Sequence, residues 1–126
     1  MRARIVAFFL ILLSLVASAH AKKHLHKESY YQAIWCREHN GRTEVVLADK
    51  TRCDCLTSTH AVEVEFANKW AESIGQALYY AIQTRKRAGI VLILERPQDY
   101  KYWIRLNTVI QQYNLPIDTW EIRPEK

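Results

Sequence analysis

Three kinds of spacing organise the apolar residues of this chain. Two stretches repeat every three or four positions: Glu28 to His39, with Tyr31, Ile34 and Trp35 on one side and Cys36 beside them, and 67–85. In the second, Trp70, Ala71, Ile74, Ala77, Leu78, Ala81 and Ile82 form an inward face, opposite Lys69, Glu72, Gln76, Tyr79 or Tyr80, and Gln83. Both predict amphipathic helices. A third helix is predicted from Asp99, as its cap, to about Tyr113, with Trp103, Leu106 and Ile110 inward. Other stretches have the period of a strand. Thr43 to Leu47 is β-branched, Asp49-Lys50 reads as a tight turn, and Arg52 to Leu56 returns. Ala61 to Phe66 alternates strictly, with Val62, Val64 and Phe66 on one face and Glu63 and Glu65 on the other. Gly89 to Leu94 is continuously apolar, as in a central strand covered on both sides, and Ile117 to Ile122 closes the series. Asn40-Gly41 ends the first helix, where residues tolerant of positive φ belong.

The predicted order is α-β-β-β-α-β-α-β, an α/β fold. The strands at 61–66 and 89–94 are joined by a helical crossover and should be parallel, and the early hairpin is antiparallel. The expected result is a mixed sheet with helices on both faces.

The third pattern lies at the N-terminus. Arg2 and Arg4 precede an apolar run from Ile5 to Val16, interrupted only by Ser14, and Ala19-His20-Ala21 supplies an A-x-A cleavage site. Residues 1–21 therefore read as a secretory signal peptide. The run is short for a membrane span, so no stable membrane insertion is expected after cleavage. The predicted destination is periplasmic or secreted. Residues 22–27 (Lys-Lys-His-Leu-His-Lys) read as a flexible leader, and 28–126 as a single domain.

Charge changes this picture little. The sequence has 18 basic and 13 acidic residues, and removing the signal leaves a net charge of +3. That value permits nucleic-acid binding without demanding it. Cys36, Cys53 and Cys55 are odd in number, so at most one internal disulfide can form. The alternatives are one bridge from Cys36 to Cys53 or Cys55, or three buried thiols. C-x-C with one distant Cys is a weak metal pattern.

Chemistry concentrates in Arg52-Cys53-Asp54-Cys55-Leu56 and the strand after it. Asp54 stands mid-strand among apolar neighbours, and Glu63 and Glu65 share a face of the next strand. Three carboxylates brought together out of water need compensation, and a hard cation such as Mg²⁺ or Mn²⁺ supplies it through oxygen ligands. Such an ion activates water for attack on phosphorus. The plainer alternative makes Glu63 and Glu65 the solvated face of an edge strand and Asp54 a turn residue. His60 lies three residues before Glu63, within possible reach of such an ion. Arg85-Lys86-Arg87 could contact phosphates, although cations also suit a helix C-terminus.

The order α-β-β-β-α-β, with Asp54 on its second strand, Glu63-x-Glu65 on its third, Glu28 in its first helix and Gln76 in its second, resembles the PD-(D/E)XK nuclease superfamily. The resemblance implies a restriction-endonuclease-like αβββαβ core, extended here by a C-terminal helix and strand. It implies a Mg-dependent nuclease acting on DNA. Asp54, Glu63 and Glu65 would be metal ligands, Glu28 an auxiliary acid, and Gln76 a positioning group. Many nucleases of this type pair as homodimers to reach two strands. Cys53 stands at the motif's Pro and Glu65 at the motif's Lys. Glu65 could then act as ligand or general base, or Lys69 could supply the amine, since it shares a helix face with Gln76. The alternative is a domain without turnover that binds nucleic acid or a protein partner. Convergence of the three carboxylates near Lys69 would favour the enzyme. Glu65 turned away, or closed on Lys69 in a salt bridge, would favour the binding domain.

Overall fold

The computed structural model describes residues 23–126, so the predicted signal peptide lies outside the described residues. The elements are α1 (Glu28–Glu38), β1 (Arg42–Val46), β2 (Arg52–Leu56), β3 (His60–Phe66), α2 (Trp70–Thr84), β4 (Arg87–Ile93), α3 (Tyr100–Gln112) and β5 (Ile117–Ile122). Short 3-10 turns at Ala67–Lys69 and Pro97–Asp99 lead into α2 and α3. The five strands lie in chain order, β1-β2-β3-β4-β5. β1, β2 and β3 pair antiparallel, and β3, β4 and β5 pair parallel. The α/β class, the mixed sheet and the parallel crossover all agree with the sequence pattern. Among the described residues no helix is long and apolar enough to cross a membrane.

Helices cover both faces. On one, Tyr31, Trp35 and Cys36 of α1 pack on Cys55, Val62, Val64, Val91 and Ile93. On the other, Ala77 of α2 and Leu106 and Ile110 of α3 pack on Ala88, Ile90 and Leu92. Every residue of β4 after Arg87 is buried, as its continuous apolar run requires.

Three details depart from the sequence pattern. First, β3 has no wet face. It is the middle strand, and Glu63 and Glu65 are only 3% and 6% exposed, so they are not the solvated side of an edge. Second, α2 is turned relative to its apolar stripe. Ser73 and Ala77 are its buried residues, whereas Ala71 is exposed and Ile82 is 74% exposed. Small side chains at the contact bring this helix close to the sheet, and the Ser73 hydroxyl is satisfied by donating to the Trp70 carbonyl at 2.6 Å. Third, Asp99 closes the turn before α3 instead of capping α3. Its Oδ2 accepts the N–H groups of Glu95 and Arg96 at 2.9 and 3.1 Å.

The segment predicted as a flexible leader lies against the domain. His24 stacks on Phe66, with ring centroids 3.5 Å apart, and bonds Glu95 at 2.8 Å. Glu95 also accepts the N–H of Leu25 and the Tyr31 hydroxyl, at 2.9 and 2.8 Å. Burial alone would push this carboxyl up. Donors from His24, Tyr31, His26 and Leu25 outweigh that and hold it below its ordinary value.

Of the cysteine alternatives, the one realised is a Cys36–Cys55 disulfide, with Cys53 a buried free thiol. The bridge ties α1 to β2 directly beside Asp54. It also explains Asn40-Gly41. Asn40 takes the positive φ of 54° that ends the helix, and Gly41 provides room. A Cβ at Gly41 would lie 2.7 Å from Cys36 Sγ and closer still to Cys55 Sγ. We expect Cys36→Ser to lower unfolding free energy by about 3 kcal/mol, and Gly41→Ala by about 1–3 kcal/mol, in urea denaturation.

Candidate functional site

The site forms where two strands part. β2 and β3 pair only at Cys55 with Val62 and Leu56 with Ala61. Beyond that point the Val64 N–H donates not to backbone but to Oδ2 of Asp54, at 2.8 Å. On the other side, the β1–β2 ladder passes over Glu44 and Asp54, and Glu44 takes a left-handed φ of 54°. The Asp54 carbonyl is satisfied instead by Nε2 of Gln32, at 2.8 Å, and the same amide reaches Glu44 Oε1 at 3.0 Å. Main chain and side chain of Asp54 are thus held by a helix and by the neighbouring strand.

Into this opening come four carboxyl groups. Asp54 and Glu63 are in hydrogen-bond contact, and Glu65 meets Glu28, the first residue of α1, in the same way. Glu65 Oε1 also accepts the Phe66 N–H at 2.9 Å. Gln76, one helix layer above, turns its amide to Glu63. With the nitrogen facing the carboxylate it donates to both oxygens, at 2.5 and 3.2 Å. Tyr80 borders the group, and burial followed by the charges of Glu63 and Asp54 pushes its phenol up to about 12. Tyr79, the other tyrosine considered for this face, turns away to Asp49 in the β1–β2 turn.

The electrostatics follow from burial. Desolvation first, then Asp54, raises the Glu63 carboxyl far above the carboxylate range. Desolvation also raises Asp54, opposed by the Val64 N–H. Glu28 is raised to about 8 by desolvation and by its hydrogen bond to Glu65, and Lys69 is the cation that opposes this. At neutral pH Glu63 and Glu28 therefore keep their protons, because ionising them would crowd like charges at a poorly solvated site. Among the described residues no three His, Cys, Asp or Glu side chains are already spaced around one point as metal ligands. The carboxyls stand two and two.

Asp54, Glu63, Glu65, Glu28 and Gln76 are thus brought together, and Lys69, at the exposed start of α2, acts on Glu28. His60 is not part of the group. Its Nε2 bonds Asp118 Oδ2 at 2.6 Å, and Arg87 grips the same carboxylate at 2.9 and 3.2 Å. Lys86 donates to the Ser58 carbonyl at 2.8 Å, so two of the three cations in the basic cluster serve the fold. His24 and His26 are likewise engaged, with Glu95 and with the Tyr30 ring. Sequence reading missed Gln32 and Glu44, and it left Tyr79 or Tyr80 open where the structure brings Tyr80 to the group. Gln32 had a signal, since it follows Glu28 by one helical turn and shares its face. Glu44 had none, because its place depends on an irregular backbone.

No protein-family model, curated protein or solved structure matches this chain.

The carboxyls set a pH dependence whose sign is fixed. The folded chain keeps protons on Glu63 and Glu28 that the unfolded chain releases above the ordinary value of 4.5. Stability is then greatest below that value and is lost as pH rises, through about 8 for Glu28. We expect the melting temperature in EDTA to fall between about pH 5 and about pH 8. Glu63→Gln should flatten that slope and gain about 1 kcal/mol or more at the alkaline end.

Proposed function

We propose that the chain is an exported, metal-dependent nuclease with a restriction-endonuclease-like core, cleaving phosphodiester bonds of DNA. The observation that carries this reading is the meeting of half-buried Asp54 with buried Glu63 beside Gln76, with buried Glu65 and half-buried Glu28 alongside. Such a group is costly to bury and pairs no cation within itself. Its donors are hard oxygens, which fit Mg²⁺ or Mn²⁺. Asp54 and Glu63 would hold the ion, with Glu65 as a further ligand. When bound, it would polarise the phosphodiester and lower the pKa of a coordinated water.

The remaining work falls to the chain's own side chains. Gln76 orients Glu63 by donating to it. The Val64 N–H and Gln32 fix Asp54. Glu65 would accept the proton of the attacking water, with the protonated Glu28 as its hydrogen-bond partner. Lys69 supplies a cation near Glu28, in the role that the motif Lys plays elsewhere. Among the described residues no salt bridge joins Lys69 to Glu65, so the closed pair expected of a domain without turnover is not formed. Glu65 pairs with Glu28 and would have to turn toward Asp54 and Glu63 to join them on an ion. The Cys36–Cys55 bridge supports an oxidising destination, periplasmic or secreted, in line with the signal-like N-terminus.

The test is cleavage of plasmid and linear DNA in EDTA, Mg²⁺ and Mn²⁺. Cleavage should require the metal, fall at least about 100-fold in Asp54→Ala and Glu63→Ala, and fall about 10- to 100-fold in Lys69→Ala. Folded variants indistinguishable from wild type, with no metal-dependent cutting, would refute the nuclease reading and favour a binding domain.

A further inference from the structure

A cavity of about 350 Å³ opens at the C-terminal ends of β3 and β4, lined among others by His24, Phe66, Asn68, Arg96, Gln98 and Tyr102. Ligands of open α/β sheets favour this edge. No member of the carboxyl group lines it, but Glu65 Oε1 accepts the backbone N–H of the lining residue Phe66 at 2.9 Å, so the group borders the cavity through the β3 backbone. Its volume lies within the range of small-molecule pockets.

Its chemistry is selective. The nitrogen-bearing groups that could meet a phosphate are already engaged: His24 bonds Glu95, and Arg96 donates to the Lys23 carbonyl at 2.8 Å while lying 3.8 Å from Glu95. Asp99 is spent on backbone N–H groups. Neither is left to hold a phosphate. What remains free is a flat polar set. The amides of Asn68 and Gln98 make no hydrogen bond among the described residues, and each offers a donor and an acceptor, as base edges require. Tyr102 adds an aromatic surface. Lys101 and Arg105 lie over its ring, 4.9 and 5.4 Å from the centre, on a helix without acidic residues, so this wall of the cavity carries cations on an aromatic base.

Resting on the nuclease reading, we propose that this cavity takes the nucleobase next to the scissile phosphodiester, with the following phosphates running along Lys101 and Arg105. A base can enter only when unpaired, so the substrate is a single-stranded or frayed DNA strand rather than an intact duplex.

The test is fluorescence anisotropy of the purified protein with a labelled single-stranded oligonucleotide and with its blunt duplex, in Ca²⁺. The single strand should bind at least about tenfold tighter, and Asn68→Ala and Gln98→Ala should each weaken it by about 5- to 100-fold while leaving duplex binding unchanged. Both side chains are exposed and unbonded, so these variants should fold, and a thermal melt checks it. Equal or tighter duplex binding, no binding of either, or single-strand binding indifferent to both variants overturns the proposal. Cleavage in Mg²⁺ is read separately. Its absence, with single-strand binding still dependent on Asn68 and Gln98, refutes the nuclease and leaves the base pocket standing.

Discussion

Like charges held out of water are the constraint around which this domain is arranged. Asp54, Glu63, Glu65 and Glu28 come from β2, β3 and α1, and they meet on a sheet whose centre is otherwise closed to solvent. Such a group survives without a cation only by keeping protons and by accepting donors. Both devices are present: carboxyls paired two and two, and donors from the Val64 N–H, the Phe66 N–H and Gln76. The parting of β2 from β3 is part of the same arrangement. It gives up ladder hydrogen bonds so that Asp54 can insert its side chain, and on the β1 side, where the ladder passes over Glu44, Gln32 satisfies the Asp54 carbonyl.

Two fastenings keep the opening in shape. The Cys36–Cys55 bridge fixes α1 to β2, so that Gln32 and Glu28 on the helix stay aligned with Asp54 on the strand. Glu95, at the far end of β4, gathers His24, the N–H groups of Leu25 and His26, and Tyr31 into one hydrogen-bonded knot. The knot presses the segment before α1 against Phe66, and it forms one wall of the cavity beside the carboxyls. Cross-links and buried hydrogen bonds of this kind suit a small domain of modest core.

Much of the fold was legible because the periods were clean. Strand boundaries at 52–56 and 117–122 match the structure residue for residue, and the continuous apolar run of β4 marked it as central. The alternation in β3 was misleading in one respect. Period two reveals which residues share a face but not whether that face is wet, and Glu63 and Glu65 are buried because α2 lies over them. Ile82 failed for a related reason: a stripe of apolar residues exceeds the contact a helix makes when small side chains define its closest approach. Asp54, Glu63, Glu65, Glu28 and Gln76 could be named from their types and order. Glu44 could not be placed, since it depends on a left-handed residue within a strand; Gln32 shares the face of Glu28, but its partner is a carbonyl that only this irregularity exposes. The ordering of residues 23–27 was hidden because it depends on a single distant acceptor, Glu95.

If Asp54 and Glu63 hold a divalent cation as proposed, the carboxyls give up protons when it binds. Calorimetric titration of the metal-free protein with Mn²⁺, repeated in two buffers of different ionisation enthalpy, measures the affinity and the protons released together. Saturable binding that tightens with pH, releases about one to two protons, and disappears in Glu63→Gln is the result predicted. A folded protein that takes up no Mn²⁺, or takes it up without proton release and equally well in Glu63→Gln, would contradict it.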